Sequence, residues 1–301
     1  MANQMVQSSS QGVVEGLRPQ AGSVKKNGVV RKVMRNTKAK FSLAFLLIII
    51  VIGIIGPLIA QDDPTKPHYD ALLQGPSADH LLGTDAMGRD VFSRMLYGTR
   101  ITLIVGVIAV SITFVLGTLI GVASAFIGGV LDNILMRIMD ILLALPSIIM
   151  AMAIVAILGP SLANAMIAIG ISSIPSFARV ARGATLSIKS SGYVEASRAL
   201  GSSNGWILWN QIMPNIMSTL LVYTTLLIGI AILDTAALGF IGLGAQPPTP
   251  EWGTMLSEGK EYIRDAWWLA TFPGLAVTAV VFAVNMLGDA VRDILDPKSL
   301  N

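Results

Sequence analysis

Five stretches of the chain, residues 41–60, 101–131, 141–178, 199–233 and 266–288, contain no Asp, Glu, Lys or Arg. All of the charge lies outside them. A helical crossing of a bilayer takes about 20 predominantly apolar residues, so each stretch can hold a span. The 141–178 stretch is long enough for two, and Gly159-Pro160-Ser161 near its middle is a turn signal. Ser202, Ser203, Asn204, Asn210 and Gln211 make 199–212 too polar for lipid, so the fifth span starts near Ile216. The pattern predicts an all-α integral membrane protein with six transmembrane helices, one leading helix at 41–60 and a five-helix core over 101–290. Between them lies a hydrophilic outer segment, 61–100.

Composition agrees with this pattern. Of 301 residues, 53% are hydrophobic and 13% charged, too few polar groups to wet the surface of a soluble globule. The first apolar run follows about forty residues of tail and exceeds the 7–15 residues of a signal-peptide core. It therefore reads as a retained helix.

Charge sets the orientation. Residues 1–40 hold Arg18, Lys25, Lys26, Arg31, Lys32, Arg35, Lys38 and Lys40 against the single acid Glu15, and such a basic flank stays cytoplasmic. Threading six spans from there puts Arg137, Arg179, Arg182, Lys189, Arg198, Arg292 and Lys298 on the same side, with both termini and the tail 291–301 cytoplasmic. The outer side keeps only Lys66, Arg89, Arg94, Arg100, Lys260 and Arg264. The basic tail adjoins a lipid span and lacks interleaved aromatics, so no nucleic-acid partner is expected.

Candidate chemistry is sparse. The chain has no cysteine, and His68 and His80 lie in one hydrophilic segment without a partner set at metal-ligand spacing, so no metal site is expected. The phosphate-cradling pattern G-x-x-x-x-G-K-[ST] is absent, and no cofactor is expected in this chain. Asp234 is the one ionisable group deep in a predicted span. It is either a proton site, which would make the protein an ion-coupled secondary transporter, or a polar residue facing the bundle. A third source of energy is an ATPase docked on a cytoplasmic loop.

The cytoplasmic segment 180–215 is far longer than the tight turns used elsewhere on that side. Its helix formers run from Glu195 to Leu200, and Gly201 supplies a stop. Small residues Ala196, Ser197 and Ala199 would let such a helix seat closely in a cleft, with Glu195 and Arg198 sharing a face beside Tyr193. This stretch resembles the EAA loop of ABC importer permeases, E-A-A-x3-G followed by I-x-L-P. Glu195, Ala196, Gly201 and Pro214 match, whereas Ser197, Gln211 and Met213 depart from the pattern.

A second block precedes the second span. His80, Gly83, Thr84, Asp85, Gly88, Arg89, Asp90, Ser93 and Arg94 resemble the H-x-x-G-T-D-x-x-G-R-D-x-x-S-R signature of OppC/DppC-type permeases, which serve oligopeptide, dipeptide, glutathione and nickel importers. Thr84 or Asp85 is expected to cap a short helix over the pore mouth or on the membrane surface. The stretch from Gly242 to Gly253 in the outer loop 238–265, and Asn285 through Lys298, resemble the same family's closing segments. The resemblance implies a pore-forming peptide permease in a prokaryotic cytoplasmic membrane. It also implies a related second permease as heterodimer partner, two ATPase subunits carrying ATP and Mg, and an extracytoplasmic substrate-binding protein. Glu195, Ala196 and Gly201 would carry coupling and not catalysis.

Overall fold

The computed structural model describes residues 37–295. The expected basic tail up to residue 36 and the chain beyond 295 lie outside the described residues. Regular structure is helical: α1 Thr37–Ile59, α2 Val91–Ile127, α3 Gly129–Leu143, α4 Ser147–Leu158, α5 Leu162–Lys189, α6 Gly192–Ala199, α7 Asn204–Ile207, α8 Met213–Phe240, α9 Trp252–Gly259 and α10 Trp268–Leu295. An isolated bridge joins Thr84 to Asp90.

Five helical runs are long and apolar enough to cross a membrane: α1, α2, α5, the run from α7 to the end of α8, and α10. The third expected span is not a single rod. α3 and α4 meet at an angle of 89°, because Pro146 removes an N–H and disfavours helical geometry at Leu145 before it. α4 has 12 residues, about 18 Å at 1.5 Å per residue, which falls short of a hydrocarbon core of roughly 30 Å. The expected turn at 159–161 is present, with the Ser161 hydroxyl accepting from the Asn164 N–H to start α5.

Two boundaries differ from the sequence pattern. α2 begins ten residues before the predicted span, at Val91, so the end of the outer motif is its first turn. Asp90, and not Thr84 or Asp85, caps it, its carboxylate accepting the Ser93 N–H at 2.7 Å. The run into α8 starts at Asn204 through a π turn, Leu208–Ile212. Pro214 follows that turn and cannot donate to the carbonyl four residues back, a common cause of such bulges.

The most extensive helix pairing is α2 with α5. Gly117 and Gly121 permit it: a Cβ on Gly117 would lie 2.8 Å from the Phe177 ring, and one on Gly121 would meet the Ala178 carbonyl and lie 2.7 Å from Ala181 Cβ. Phe177 is fully buried there, packed edge-on against Phe114 and tilted against Tyr223. A second core at the outer end gathers Val91, Trp252, Ala266, Trp268 and Leu269. α1 packs on α2 and α10 and leaves Phe41, Leu47, Ile48, Ile54 and Leu58 exposed, as expected of a helix bathed in lipid.

Candidate functional site

The two motif blocks sit at opposite ends of the bundle. In the EAA-like block, α6 covers Gly192–Ala199 and Gly201 follows at φ +85°, the left-handed stop a glycine provides. Val194 is fully buried and anchors the helix. Tyr193, Glu195, Ala196 and Arg198 are exposed, as are Leu200 at 87%, Trp206 and Trp209. Ser197 and Gln211, two of the departures from the EAA pattern, face one another: the Gln211 amide donates to the Ser197 hydroxyl, which donates to the Tyr193 carbonyl at 3.0 Å. Their mutual bond ties α6 to the π turn, a contact invisible fourteen residues apart in sequence. Pro214 is exposed beside it.

The same end carries a basic cluster. Arg182 grips Asp132 of α3 with two bonds of 2.7 Å, Arg179 pairs with Asp140, and Lys189 donates to the last carbonyls of α2, Ala125 and Phe126. These bonds fix α3 across α5 and lead the chain into α6.

At the other end the outer motif is a buried electrostatic platform. Asp85 accepts N–H bonds from Met87 (2.8 Å) and Arg89 (2.9 Å), and takes the Arg89 Nε at 2.6 Å. Arg94, 1% exposed, lies 3.1 Å from Asp85 and donates to Glu258 of α9 at 2.8 Å, where Arg89 also reaches Glu258 at 3.3 Å. Two guanidiniums thus lie between two carboxylates, the compensation buried charge requires. Gly88, at φ +74°, turns beneath the His68 carbonyl with no room for a side chain. The Thr84 hydroxyl accepts the Gln74 N–H at 2.8 Å, and the Thr84 carbonyl accepts the Trp268 indole N–H at 3.2 Å, joining the motif to α10. His80 Nδ1 lies 3.1 Å from Asp90. Ser93, also buried, accepts the Asp62 N–H at 3.3 Å.

The outer loop closes over this platform. Glu251, 1% exposed, caps α9 by accepting the N–H groups of Gly253 (2.9 Å) and Thr254 (2.8 Å). Burial pushes its carboxyl above the usual range while those bonds pull it down. Trp252 donates its indole N–H to the Met95 carbonyl at 3.2 Å. Between motif and loop lies a cavity of about 340 Å³, walled by Asp85, Arg89, Arg94, Glu258 and Lys260.

Glu258 and Trp268 were not singled out in the sequence, since nothing in their spacing ties them to residues 80–94. Asp234, in α8, is half-buried and has no hydrogen-bond or ion-pair partner among the described residues. Among the described residues no basic side chain pairs with it.

Residues 115–301 match the family described as binding-protein-dependent transport system inner membrane component, and residues 28–76 match the N-terminal TM domain of oligopeptide transport permease C. The chain is 44% identical to a dipeptide transport system permease protein of Alkalihalophilus pseudofirmus, over 89% of this chain and 88% of that one. It is 45% identical to a di/tripeptide transport system permease protein of Pseudomonas aeruginosa (88% and 90%) and 43% identical to a glutathione transport system permease protein of Pectobacterium atrosepticum (89% of each). Among solved structures it resembles a chain of the MetNI methionine ABC transporter in an inward-facing conformation, with a TM-score of 0.54 and 22% identity over 66% of this chain and 95% of that one. That likeness concerns the fold.

Proposed function

We infer what this chain does from the premise that it belongs to the family of binding-protein-dependent transport system inner membrane components, and within it to the permeases of the OppC/DppC type. It is a multi-pass, non-catalytic permease subunit of an ABC importer in a prokaryotic cytoplasmic membrane. ATP and its Mg belong to separate subunits. The cargo is a small peptide, in keeping with relatives named for dipeptides, di/tripeptides and glutathione. An ion-coupled carrier built on Asp234 has no support in any of these relatives.

The observation that carries the mechanism is α6, held by buried Val194 while Tyr193, Glu195, Ala196, Arg198 and Leu200 stand free at the cytoplasmic end. A helix so anchored is a lever that a partner can grip: closure of two ATPase subunits pushes α6, and the Ser197–Gln211 link and Pro214 pass the motion into α8. The α3–α4 pair serves as a broken third span, giving six crossings with both termini cytoplasmic. Arg137, Arg179, Arg182, Lys189, Arg198 and Arg292 then share the cytoplasmic side. A related second permease completes the path through the bilayer, and the binding protein docks over the outer motif and loop 238–265.

Reconstitution of the importer in proteoliposomes tests the coupling assignment. Glu195→Lys and Gly201→Trp each leave the chain inserted, yet uptake per ATP hydrolysed falls at least about tenfold or the ATPase subunits dissociate. Normal uptake by both variants overturns the assignment.

A further inference from the structure

Beside the guanidinium platform lies a second, differently built cluster. Asp62 follows α1, His80 opens the outer motif and Asp90 caps α2, and one ligand atom from each lies within 4.8 Å of the other two. We propose that these three residues form a binding site for a divalent transition-metal ion on the extracytoplasmic face.

Two of the donors face one another, and the third carboxylate has no partner among the described residues. Asp90 is 1% exposed and spends its Oδ2 on the Ser93 N–H, leaving Oδ1 directed at His80 Nδ1, 3.1 Å away. The Asp62 carboxylate has no hydrogen bond or ion pair among the described residues, although its backbone N–H is held by the Ser93 hydroxyl. His80 is positioned by its own backbone, its N–H donating to the Ser77 hydroxyl and its carbonyl accepting from Ser77 and Gly83.

Charge provides a second reason. Asp85, five residues before Asp90, is answered by the guanidiniums of Arg89 and Arg94. Asp62 and Asp90 bring two carboxylates together with one imidazole, and neither pairs with a Lys or Arg among the described residues. A dication supplies the missing positive charge. One imidazole and two carboxylates suit Zn²⁺ or Mn²⁺ better than Ca²⁺, which takes oxygen ligands alone. Three protein ligands leave a position for water. The bound ion would pin the exit of α1 to the first turn of α2, clamping the leading helix to the core, a role independent of the cargo.

The test uses the full-length chain purified in detergent with a tag free of histidine, stripped with chelator and titrated with Zn²⁺ and with Mn²⁺ separately by calorimetry, with bound metal counted after dialysis. One ion per chain and a higher melting temperature are expected. Asp62→Asn, which removes a carboxylate that neither caps nor pairs, weakens binding at least about tenfold, and His80→Gln does the same. Asp79→Asn, at an exposed acid of the same segment, leaves it unchanged. Absence of binding by the native chain, equal binding by Asp62→Asn, or an equal loss in Asp79→Asn overturns the proposal.

Discussion

The outer platform and the EAA-like segment are the two most distinctive stretches of the chain, and they spend their side chains in opposite ways. Of the outer motif, Gly83, Thr84, Asp85, Gly88, Arg89, Asp90, Ser93 and Arg94 are all buried, each charge answered within the chain or facing His80. Of α6, only Val194 is buried and the remaining side chains are left to solvent or half-covered. Buried ionic groups tolerate little change, because removing one strands its partner in a low dielectric. Exposed groups on a short helix contribute almost nothing to folding. The outer motif therefore builds internal architecture, whereas the inner one keeps its side chains on the surface.

The sharpest way to break this contrast is Asp85→Ala. It leaves Arg89 and Arg94 sharing Glu258 alone and should destabilise the chain by about 3–5 kcal/mol, read as a large fall in melting temperature or in folded yield from membranes. A stable variant would show that the platform is not a mutually dependent network. Glu251→Ala removes the α9 cap and should cost about 1–2 kcal/mol, lowering the melting temperature without loss of folded protein. Leu200→Ser, at a position 87% exposed, should change stability by less than about 0.5 kcal/mol and still reduce ATP-driven uptake in proteoliposomes. A Leu200→Ser chain that melts early would place that side chain in the fold instead of on a partner.

Much of the architecture was legible in the chain. Charge-free runs longer than a bilayer is thick announce spans, and the observed helices fall on them. Gly117 and Gly121 were recognisable as a small-residue pair, and Gly201 as a helix stop, because only glycine fits a close crossing or a positive φ without penalty. Pro146 marks a place where the third span can kink, but an uncharged stretch does not report that the turn there reaches 89°. The cap of α2 was assigned to Thr84 or Asp85, when the Thr84–Asp90 bridge holds those residues in a turn and leaves Asp90 at the helix start. That error arises because periodicity records what a helix tolerates, and not where a local turn begins it.

The sequence by itself determined which runs are apolar enough to cross a membrane, where the basic residues cluster, the short helix closed by Gly201 and the permease family, all properties of contiguous residues. Tertiary structure alone decided that Glu258 completes the Asp85–Arg89–Arg94 network from more than a hundred and fifty residues away. It also decided that Ser197 meets Gln211 and that Asp62 and Asp90 converge on His80. The physical reason is range: hydropathy and capping act within a turn or two, whereas ion pairs and ligand sets form between any residues that packing brings within a few ångströms.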